Sequence, residues 1–318
     1  MKLRHLTAAL AAFGLATPAF ALNILVSNDD GFAAANVRAL YTKLKAAGHD
    51  VVVAAPCQDQ SGKGAAVNFL LPLTPLAKDC RGGTVKAGSA AVGADPGIAD
   101  INYVDGTPVM ATMYGLDVLA PARWGKAPDL LISGPNEGQN LGAIVNSSGT
   151  VSNAIFAASR GIPAIAVSGD ANTKDNAALA VEAADLTVKF VNALLAKRGS
   201  GPIMPAGTAI NVNLPKFDAG GSAKVQWVFS RFGSYTAMTP KFVADLSKDP
   251  VASGYGVKYP YPGVTFTLNN TPTAADAGSE SALNAKGFAT VTTMQVGFEA
   301  RPQAQQWLRL RLKNLLTQ

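Results

Sequence analysis

Short apolar runs alternate with helical patterns over the first two thirds of the chain, and this alternation constrains the fold more than any other feature. Residues 23–27 form a short apolar run, and residues 37–44 then place apolar side chains at helical spacing. Gly48 is placed to end that helix, and residues 49–56 form a second apolar run. Strand, loop, helix and strand in close succession predict a βαβ unit.

The alternation continues to about residue 215. Further strands are predicted at 129–133, 163–168 and 209–214, and further helices at 107–120, 148–160 and 176–197. Residues 80–106 are rich in Gly, Ala and Asp and are predicted to form a long surface loop. Repeated alternation predicts a Rossmann-like, doubly wound α/β sheet that is mostly parallel and carries helices on both faces.

The pattern changes after residue 215. Residues 223–300 contain β-rich segments and turns without a strong helical pattern, and residues 303–316 form an amphipathic helix. We therefore predict three parts: a leader at 1–21, an α/β core at 22–215 and, at 216–318, a β-rich extension that ends in a docking helix. The apolar side of this helix fits either a second subunit or the chain's own surface, and the sequence leaves both open.

The first 21 residues have the pattern of an export signal. Lys2 and Arg4 precede an apolar run at 6–15, and Ala19 and Ala21 form a small-x-small cleavage signal. The run is short for an uncleaved anchor, which needs about 20 residues. No later stretch resembles a membrane span, so we expect a periplasmic or secreted protein that does not contact the membrane once the leader is removed.

The two cysteines and two histidines exclude several kinds of site. Cys57 and Cys80 are too few for a four-thiolate metal site, and they either form a disulfide or stay unpaired. His5 lies in the leader, so the mature chain keeps only His49, which we expect to be structural. Histidine-rich zinc sites are therefore excluded. A serine esterase is disfavoured because the chain also lacks a G-x-S-x-G motif.

The charge of the chain is weakly basic and gives little information about partners. The formal net charge is +6, and removal of Lys2 and Arg4 with a leader that holds no acidic residue lowers it to +4. No basic stripe with interleaved aromatic residues is present in the sequence. We therefore expect no polymeric nucleic acid as a partner.

Paired carboxylates follow the first predicted strand. Asp29 and Asp30 lie in residues 28–31 (NDDG), directly after an apolar run. In open α/β sheets, ligands bind at the carboxyl ends of the strands. Adjacent carboxylates repel each other, and a divalent cation with oxygen ligands offsets that repulsion. The pair predicts a metal site, while an Asx turn in which Asp30 caps the next helix is the simpler alternative.

Three more polar segments are expected at the same edge. Ser61 offers a hydroxyl after the second strand, and Asn136 offers an amide oxygen in the glycine-rich loop 133–142. Residues 147–151 (SSGTV) open a helix, and N–H groups at a helix N-terminus favour an anion. The simpler alternatives are a polar turn, a glycine loop and plain N-capping. Together the segments predict a hard-cation site beside a phosphate pocket, suited to hydrolysis of a phosphate ester.

Five segments, in this order and spacing, resemble the SurE family of stationary-phase survival proteins, which are metal-dependent 5'/3'-nucleotidases. They are ILVSNDDG (24–31), VVAAPCQDQSG (52–62), VDGTP (104–108), ISGPNEGQNLG (132–142) and SSGTVSNAIFAASRGIPAIAVS (147–168). The resemblance covers residues 23–215 well and later residues poorly.

The resemblance implies roles for individual residues. The implied metal ligands are Asp29, Asp30, Ser61 and Asn136, with Asp29 and Asp30 also catalytic. The implied phosphate-side or substrate-binding residues are Asn140, Ser148, Gly149 and Thr150. The resemblance also implies a Rossmann-like fold, dephosphorylation of nucleoside monophosphates with wider phosphomonoesterase action, and a homodimer or homotetramer formed through the C-terminal extension.

The chain departs from the family pattern at several places. Gln60 stands where family members usually carry a basic residue before the serine, and residues 109–111 lack the usual Asp-Cys pair. The late family segment is reduced to Glu280 and residues 287–293. An export leader also differs from the better-known cytoplasmic members.

We expect a periplasmic phosphomonoesterase that binds one divalent cation, Mg²⁺ or Mn²⁺, and hydrolyses nucleoside monophosphates with a metal-activated water. A route through an aspartyl-phosphate on Asp29 or Asp30 stays open, and no general acid for the leaving group is evident. The alternative function is a protein of the same fold that binds a phosphorylated ligand without turnover.

Overall fold

A computed structural model describes residues 21–300, 302–313 and 315 of the chain. The predicted leader lies outside these residues except for Ala21. No helix in the described part of the chain is long and apolar enough to cross a membrane.

Nine of the eleven strands in the described residues form one mixed sheet, in which six of the eight strand pairings are parallel. The strands are β1 (Asn23–Ser27), β2 (Asp50–Pro56), β3 (Val92–Ala94), β4 (Ile101–Val104), β5 (Leu130–Glu137), β6 (Ala164–Gly169), β7 (Thr208–Asn213), β8 (Gln226–Phe229), β9 (Met238–Val243), β10 (Gly263–Leu268) and β11 (Phe288–Gln295). The order across the sheet is β3-β4-β2-β1-β5-β6-β7-β11-β8, which confirms the predicted doubly wound, mostly parallel α/β fold.

Eight α-helices accompany the strands in the described residues. They are α1 (Ala35–Ala46), α2 (Pro108–Tyr114), α3 (Ala120–Trp124), α4 (Gly149–Ser159), α5 (Ala177–Lys197), α6 (Pro250–Gly254), α7 (Glu280–Asn284) and α8 (Pro302–Arg311). Helices α1 and α5 pack together in one core layer, and α2 and α4 contact each other in the other. Along β1, Ile24 and Val26 belong to the first layer and Leu25 to the second, as the alternation of side chains along a strand requires.

The segment predicted as one helix at 107–120 is built in three pieces and extends to Trp124. A π-helical turn at Gly115–Leu119 connects α2 to α3. A Cβ atom on Gly115 would lie 2.7 Å from both Cδ atoms of Leu25, so the glycine lets this segment pack directly onto β1.

The prediction that residues 80–106 form a surface loop is wrong in part, because this stretch contains β3 and β4. All four residues of β4 are buried, and β4 pairs in parallel with β2. Its short apolar run (INYV) is surrounded by Gly- and Asp-rich sequence, which hides it from a pattern-based analysis.

Strands of the predicted extension divide between two sheets. β11 pairs antiparallel with β7, and β8 adds to it in parallel, so both continue the main sheet. β9 and β10 instead form a separate antiparallel hairpin. A division of the chain at residue 215 stays a prediction.

The C-terminal helix α8 is not covered by the rest of the described chain. It has no buried residue, and Trp307, Leu308 and Leu310 are all exposed. The described residues therefore give no support to docking of this helix on its own chain, while Leu316 of the predicted helix lies outside them.

Cys57 and Cys80 form a disulfide, which settles the question that the sequence left open. Both residues are buried in the core layer beside α1 and α5. The bond therefore joins the end of β2 to the segment that leads into β3.

Candidate metal and phosphate site

The loop after β1 buries both predicted carboxylates at the carboxyl end of the strand. Asp29 and Asp30 are each only 3% exposed. Asn28 closes the turn, because its Nδ2 donates to the Gly31 carbonyl at 3.0 Å and its Oδ1 accepts from the Gly31 N–H at 3.2 Å. Gly31 has a φ of 108°, a region that favours glycine. The cap residue of α1 is Ala34, so the alternative that Asp30 caps this helix is wrong.

Asp29 is held by the first turn of α4. The Thr150 hydroxyl donates to Asp29 Oδ1 at 2.6 Å. A Cβ atom on Gly149 would lie 2.7 Å from the Asp29 Cβ, so only glycine lets the helix approach this closely. Burial raises the pKa of Asp29 to about 6, and the hydrogen bond from Thr150 opposes this rise.

Asp30 faces β5. The Glu137 N–H donates to Asp30 Oδ2 at 3.2 Å. Burial raises the pKa of Asp30 well above its ordinary value, and the nearby charges of Asp29 and Glu137 raise it further. Two adjacent buried carboxylates are therefore costly to keep ionised unless a cation offsets their charge.

Asn136 supplies an oxygen atom that lacks a hydrogen-bond partner. Its Nδ2 donates to the Gly138 carbonyl at 2.8 Å, whereas its Oδ1 is buried and unpartnered. Buried polar atoms normally have partners, so an unsatisfied one calls for a physical reason. Asn136 immediately precedes Glu137, whose N–H binds Asp30, and a cation bound at this edge would satisfy the amide oxygen.

Ser61 reaches the same edge through its neighbours. The Gln60 N–H donates to the Asp29 carbonyl at 2.8 Å, which packs this turn against the aspartate loop. The Ser61 N–H is held by Asp59 Oδ1 at 2.8 Å, and the Ser61 side chain is exposed. The structure thus brings the segment of Ser61 to the site, with no hydrogen bond from its hydroxyl to Asp29 or Asp30.

Ser148 and Thr150, on the predicted phosphate side, already have hydrogen-bond partners within the protein. Ser148 caps α4, since its Oγ accepts from the Val151 N–H at 3.1 Å. This is the simpler role that the sequence also allowed. The Thr150 hydroxyl is bound to Asp29, which leaves the backbone at the start of α4 as the predicted anion-binding element.

Asn140 is directed toward the sheet. It is buried, and its Nδ2 donates to Ser168 Oγ at 2.9 Å. Its N–H donates to Asn213 Oδ1 at 2.8 Å, and its carbonyl accepts from Asn211 and Asn213 at 3.1 Å each. These contacts fix the loop that follows Asn136 onto β6 and β7.

Sequence reasoning missed four polar residues around the site. They are Asp59, Arg81, Glu137 and Asn153. Asp59 lies close enough for its charge to raise the pKa of both aspartates. Asn153 lies below the site, where its Nδ2 donates to the Asn28 carbonyl at 3.3 Å. Asp59 and Glu137 stand inside motifs that the sequence singled out, whereas no local signal connected Arg81 with them.

The donor set contains only oxygen atoms. Within the residues that the structure describes, no three His, Cys, Asp or Glu side chains gather as a metal cluster. The available ligands are the two carboxylates, the free amide oxygen of Asn136 and, from the neighbouring turn, Ser61. Such a set fits a hard divalent cation such as Mg²⁺ or Mn²⁺ better than zinc.

The fold and this edge define a doubly wound α/β protein with paired buried carboxylates at the end of an interior strand, β1. Residues 24–237 match the family model described as "Survival protein SurE", and the chain belongs to that family. The crystal structure of the SurE protein from Aquifex aeolicus superposes with a TM-score of 0.66 at 26% identity, covering 91% of this chain and 98% of that one.

Two curated relatives illustrate the similarity. An acid phosphatase of Yarrowia lipolytica is 37% identical over 235 residues, which is 69% of this chain and 65% of the relative. A 5'-nucleotidase SurE of Gloeobacter violaceus is 37% identical over 194 residues, which is 61% of this chain and 64% of the relative. The chain thus spans slightly less than two thirds of the length of these relatives.

Proposed function

We propose that this protein is a metal-dependent phosphomonoesterase that hydrolyses nucleoside monophosphates. One observation carries the proposal: the buried pair of Asp29 and Asp30 lies next to the segment that presents the unpartnered, buried Oδ1 of Asn136. The names of the two curated relatives, a phosphatase and a 5'-nucleotidase, support the same reaction class.

One divalent cation, Mg²⁺ or Mn²⁺, completes the proposed site. Asp29, Asp30 and Asn136 would hold it, with Ser61 available from the adjacent turn. When bound, such an ion polarises the phosphoryl oxygens and lowers the pKa of a coordinated water.

The protein's own residues orient the reactants. Thr150 holds one oxygen of Asp29 through its hydroxyl, so this carboxylate has a fixed direction. The backbone N–H groups in the first turn of the same helix are the proposed stabilisers of negative charge on the phosphate. Ser148 keeps that first turn capped, and Asn140 fixes the preceding loop to the sheet.

The test is a panel of nucleoside monophosphates and simple phosphate esters, assayed with Mn²⁺, with Mg²⁺ and with EDTA. We expect metal-dependent phosphate release that Asp29→Asn lowers by at least about 10²-fold, because the substitution removes a ligand charge. Asp185→Asn is the matched control, since Asp185 is an exposed residue of α5, and it is expected to keep full activity.

Each other outcome has a defined meaning. Full activity in EDTA would refute the metal-dependent mechanism. No turnover combined with tight binding of a nucleotide would favour the binding protein without hydrolysis. Trapping of labelled phosphate on the enzyme would favour the aspartyl-phosphate route over direct attack by water.

We also propose that the protein is exported to the periplasm or secreted, and that it forms a homodimer or homotetramer. The leader pattern and the Cys57–Cys80 disulfide support export, because disulfides persist in oxidising compartments. The exposed apolar residues of α8 support assembly. N-terminal mass spectrometry of the mature protein and light scattering during gel filtration test the two statements.

A further inference from the structure

Arg81 connects the two loops that carry the proposed metal ligands. Its Nη1 donates to the Asp30 carbonyl at 2.8 Å, and its Nη2 lies 2.9 Å from both carboxylate oxygens of Glu137. The Glu137 N–H in turn binds Asp30 Oδ2. Arg81, Glu137 and Asp30 thus form a closed ring of contacts between the ends of β1 and β5.

Within this ring, the buried carboxylate of Glu137 needs a positive partner. The Glu137 side chain is only 3% exposed, and it lies close enough to Asp30 for its charge to raise the pKa of that carboxyl. Arg81 forms an ion pair with it and also reaches the exposed Asp175 at 3.1 Å. Because Arg81 balances Glu137, the negative charge that acts on a cation comes from Asp29 and Asp30, with a contribution from the nearby Asp59.

The shape of arginine suits this place. The guanidinium offers several N–H donors in a fixed plane, so one group can bind a carbonyl and a carboxylate at the same time. Lysine carries the same charge on a single nitrogen. It can therefore balance Glu137 without also holding Asp30 in the same geometry.

The disulfide holds Arg81 in place. Arg81 directly follows Cys80, and its backbone N–H donates to the carbonyl of Cys57 at 2.9 Å. Cys57 follows β2, whose neighbour in the sheet is β1. Residues 61–79 between the two anchor points contain no helix or strand and are mostly exposed. The disulfide is therefore the shortest covalent connection between Arg81 and the sheet.

We propose that Arg81 is a positioning residue for Asp30 and the Asn136–Glu137 segment, and that the Cys57–Cys80 disulfide is its anchor. This inference deepens the proposed phosphatase function and rests on it. Arg81 lies outside the four polar segments singled out in the sequence. If it positions the metal ligands, the geometry of the site depends on the disulfide being formed.

The first experiment separates charge from geometry. Calorimetry of the metal-free protein gives the Kd for Mn²⁺, and kcat on p-nitrophenyl phosphate is measured at saturating Mn²⁺. Arg81→Lys keeps the charge, so we expect a Kd within about threefold of wild type but a kcat at least roughly tenfold lower. Lys86→Gln, which breaks the exposed Lys86–Asp79 pair in the same segment, is the control and should change neither value.

Substitution of Glu137 should instead change the affinity for Mn²⁺. Glu137→Gln leaves the Arg81 charge unbalanced beside the cation site, so Mn²⁺ binding should weaken by roughly tenfold. The double variant Arg81→Gln with Glu137→Gln removes both charges. Its Kd should return to within about threefold of wild type while its kcat stays low. A purely structural role would not separate these two quantities.

The second experiment tests the anchor. Reduction of the disulfide should lower the kcat of wild type at least about fivefold and that of Arg81→Lys less than about twofold, because the anchor acts through Arg81. Thermal melts of the reduced proteins confirm that both are folded at the assay temperature. Equal losses in the two proteins would overturn the role of the disulfide.

Other results would overturn the role of Arg81. Full kcat in Arg81→Lys would show that geometry is not involved, and a wild-type Kd for Mn²⁺ in Glu137→Gln would show that the charges are not linked to the site. A wild-type protein without turnover on any ester would refute the proposed function instead. The Mn²⁺ affinities would then still decide whether Arg81 and Glu137 act on the metal site.

Discussion

The carboxyl edge of the main sheet buries polar groups, whereas the β9–β10 hairpin exposes apolar ones. At the sheet edge, carboxylates and amides are buried, and they have hydrogen-bond partners from other strands and from helix α4. On the hairpin, apolar side chains such as Phe242 and Val264 are exposed. Buried polar groups tolerate few changes because each lost partner carries a desolvation cost. Exposed apolar groups are tolerated singly, and in clusters they mark a surface for contact.

Glu280 connects the sheet edge with the C-terminal extension, outside the β9–β10 hairpin. This buried residue of α7 accepts from the Gly142 N–H at 2.8 Å, and it accepts from Asn211 and Thr292 at 3.1 Å each. The extension thus reaches the loop that follows Asn136 through this carboxylate, and also through Thr236, whose Oγ1 accepts from the Ala143 N–H at 3.0 Å. Substitutions in the edge, in this link and in the hairpin should therefore have effects that decrease in that order.

The largest effect is expected at Gly149. A Cβ there would lie 2.6 Å from Pro108 Cγ and 2.7 Å from Asp29 Cβ, so Gly149→Ala must push α4 away from the aspartate. We expect kcat/KM to fall by at least about 10²-fold, with a loss of about 1–3 kcal/mol in the free energy of unfolding. Phosphatase kinetics and urea unfolding measure the two quantities.

Gly254 in α6 provides the matched control for this prediction. It is also a helical glycine, but a Cβ there would meet nothing within 4 Å. Gly254→Ala should leave kcat/KM unchanged and stabilise the protein by up to about 1 kcal/mol. Equal losses of activity in the two variants would contradict the contrast between the edge and the extension.

An intermediate effect, which depends on pH, is expected at Glu280. Burial raises the pKa of Glu280 from its ordinary value of 4.5 to about 7, so the folded protein binds this proton more tightly than the unfolded chain does. The resulting stability is complete below about pH 4.5 and is lost as the pH rises through about 7. The free energy of unfolding should thus decrease between pH 5 and pH 8.

Glu280→Gln removes this titration. We expect the free energy of unfolding, measured with urea, to fall between pH 5 and pH 8 by up to roughly 3 kcal/mol more in wild type than in the variant. If the free energy of unfolding had the same dependence on pH in both proteins, Glu280 would not titrate in this range.

The smallest effect on catalysis is expected in the hairpin. Phe242 and Val264 face each other in the register of β9 and β10, and both are exposed. Phe242→Ser with Val264→Ser should leave kcat within about twofold and stability of the monomer within about 0.5 kcal/mol. Gel filtration with light scattering should show a smaller assembly if the hairpin contributes to the proposed oligomer. A large loss of kcat at saturating substrate would mean that the hairpin contributes to the active site.

The periodicity of apolar residues was sufficient to predict the part of the fold in which strands and helices alternate. The βαβ unit, the long helix at 176–197 and the position of Asp29 and Asp30 after β1 all follow from periodicity and from strand ends. Periodicity did not predict which distant segments pair with each other in the sheet. Nothing in residues 288–295 indicates that β11 lies antiparallel to β7, because that choice depends on which sheet edge is free.

The site was predictable to a similar extent. Motif positions indicated which loops converge, but they did not show which atoms each side chain contacts. Asn140 was expected on the phosphate side, yet its amide nitrogen binds Ser168. Arg81 gave no signal, because its partners Asp30 and Glu137 are 51 and 56 positions away in the chain.

The place of β1 between β2 and β5 has a consequence for the order of events in the cell. Asn136 and Thr150 follow the two aspartates by more than a hundred residues along the chain. A nascent chain therefore carries the acidic pair before the groups that orient it have been synthesised. The proposed cation site is therefore complete only after the chain through α4 has closed onto the first strand.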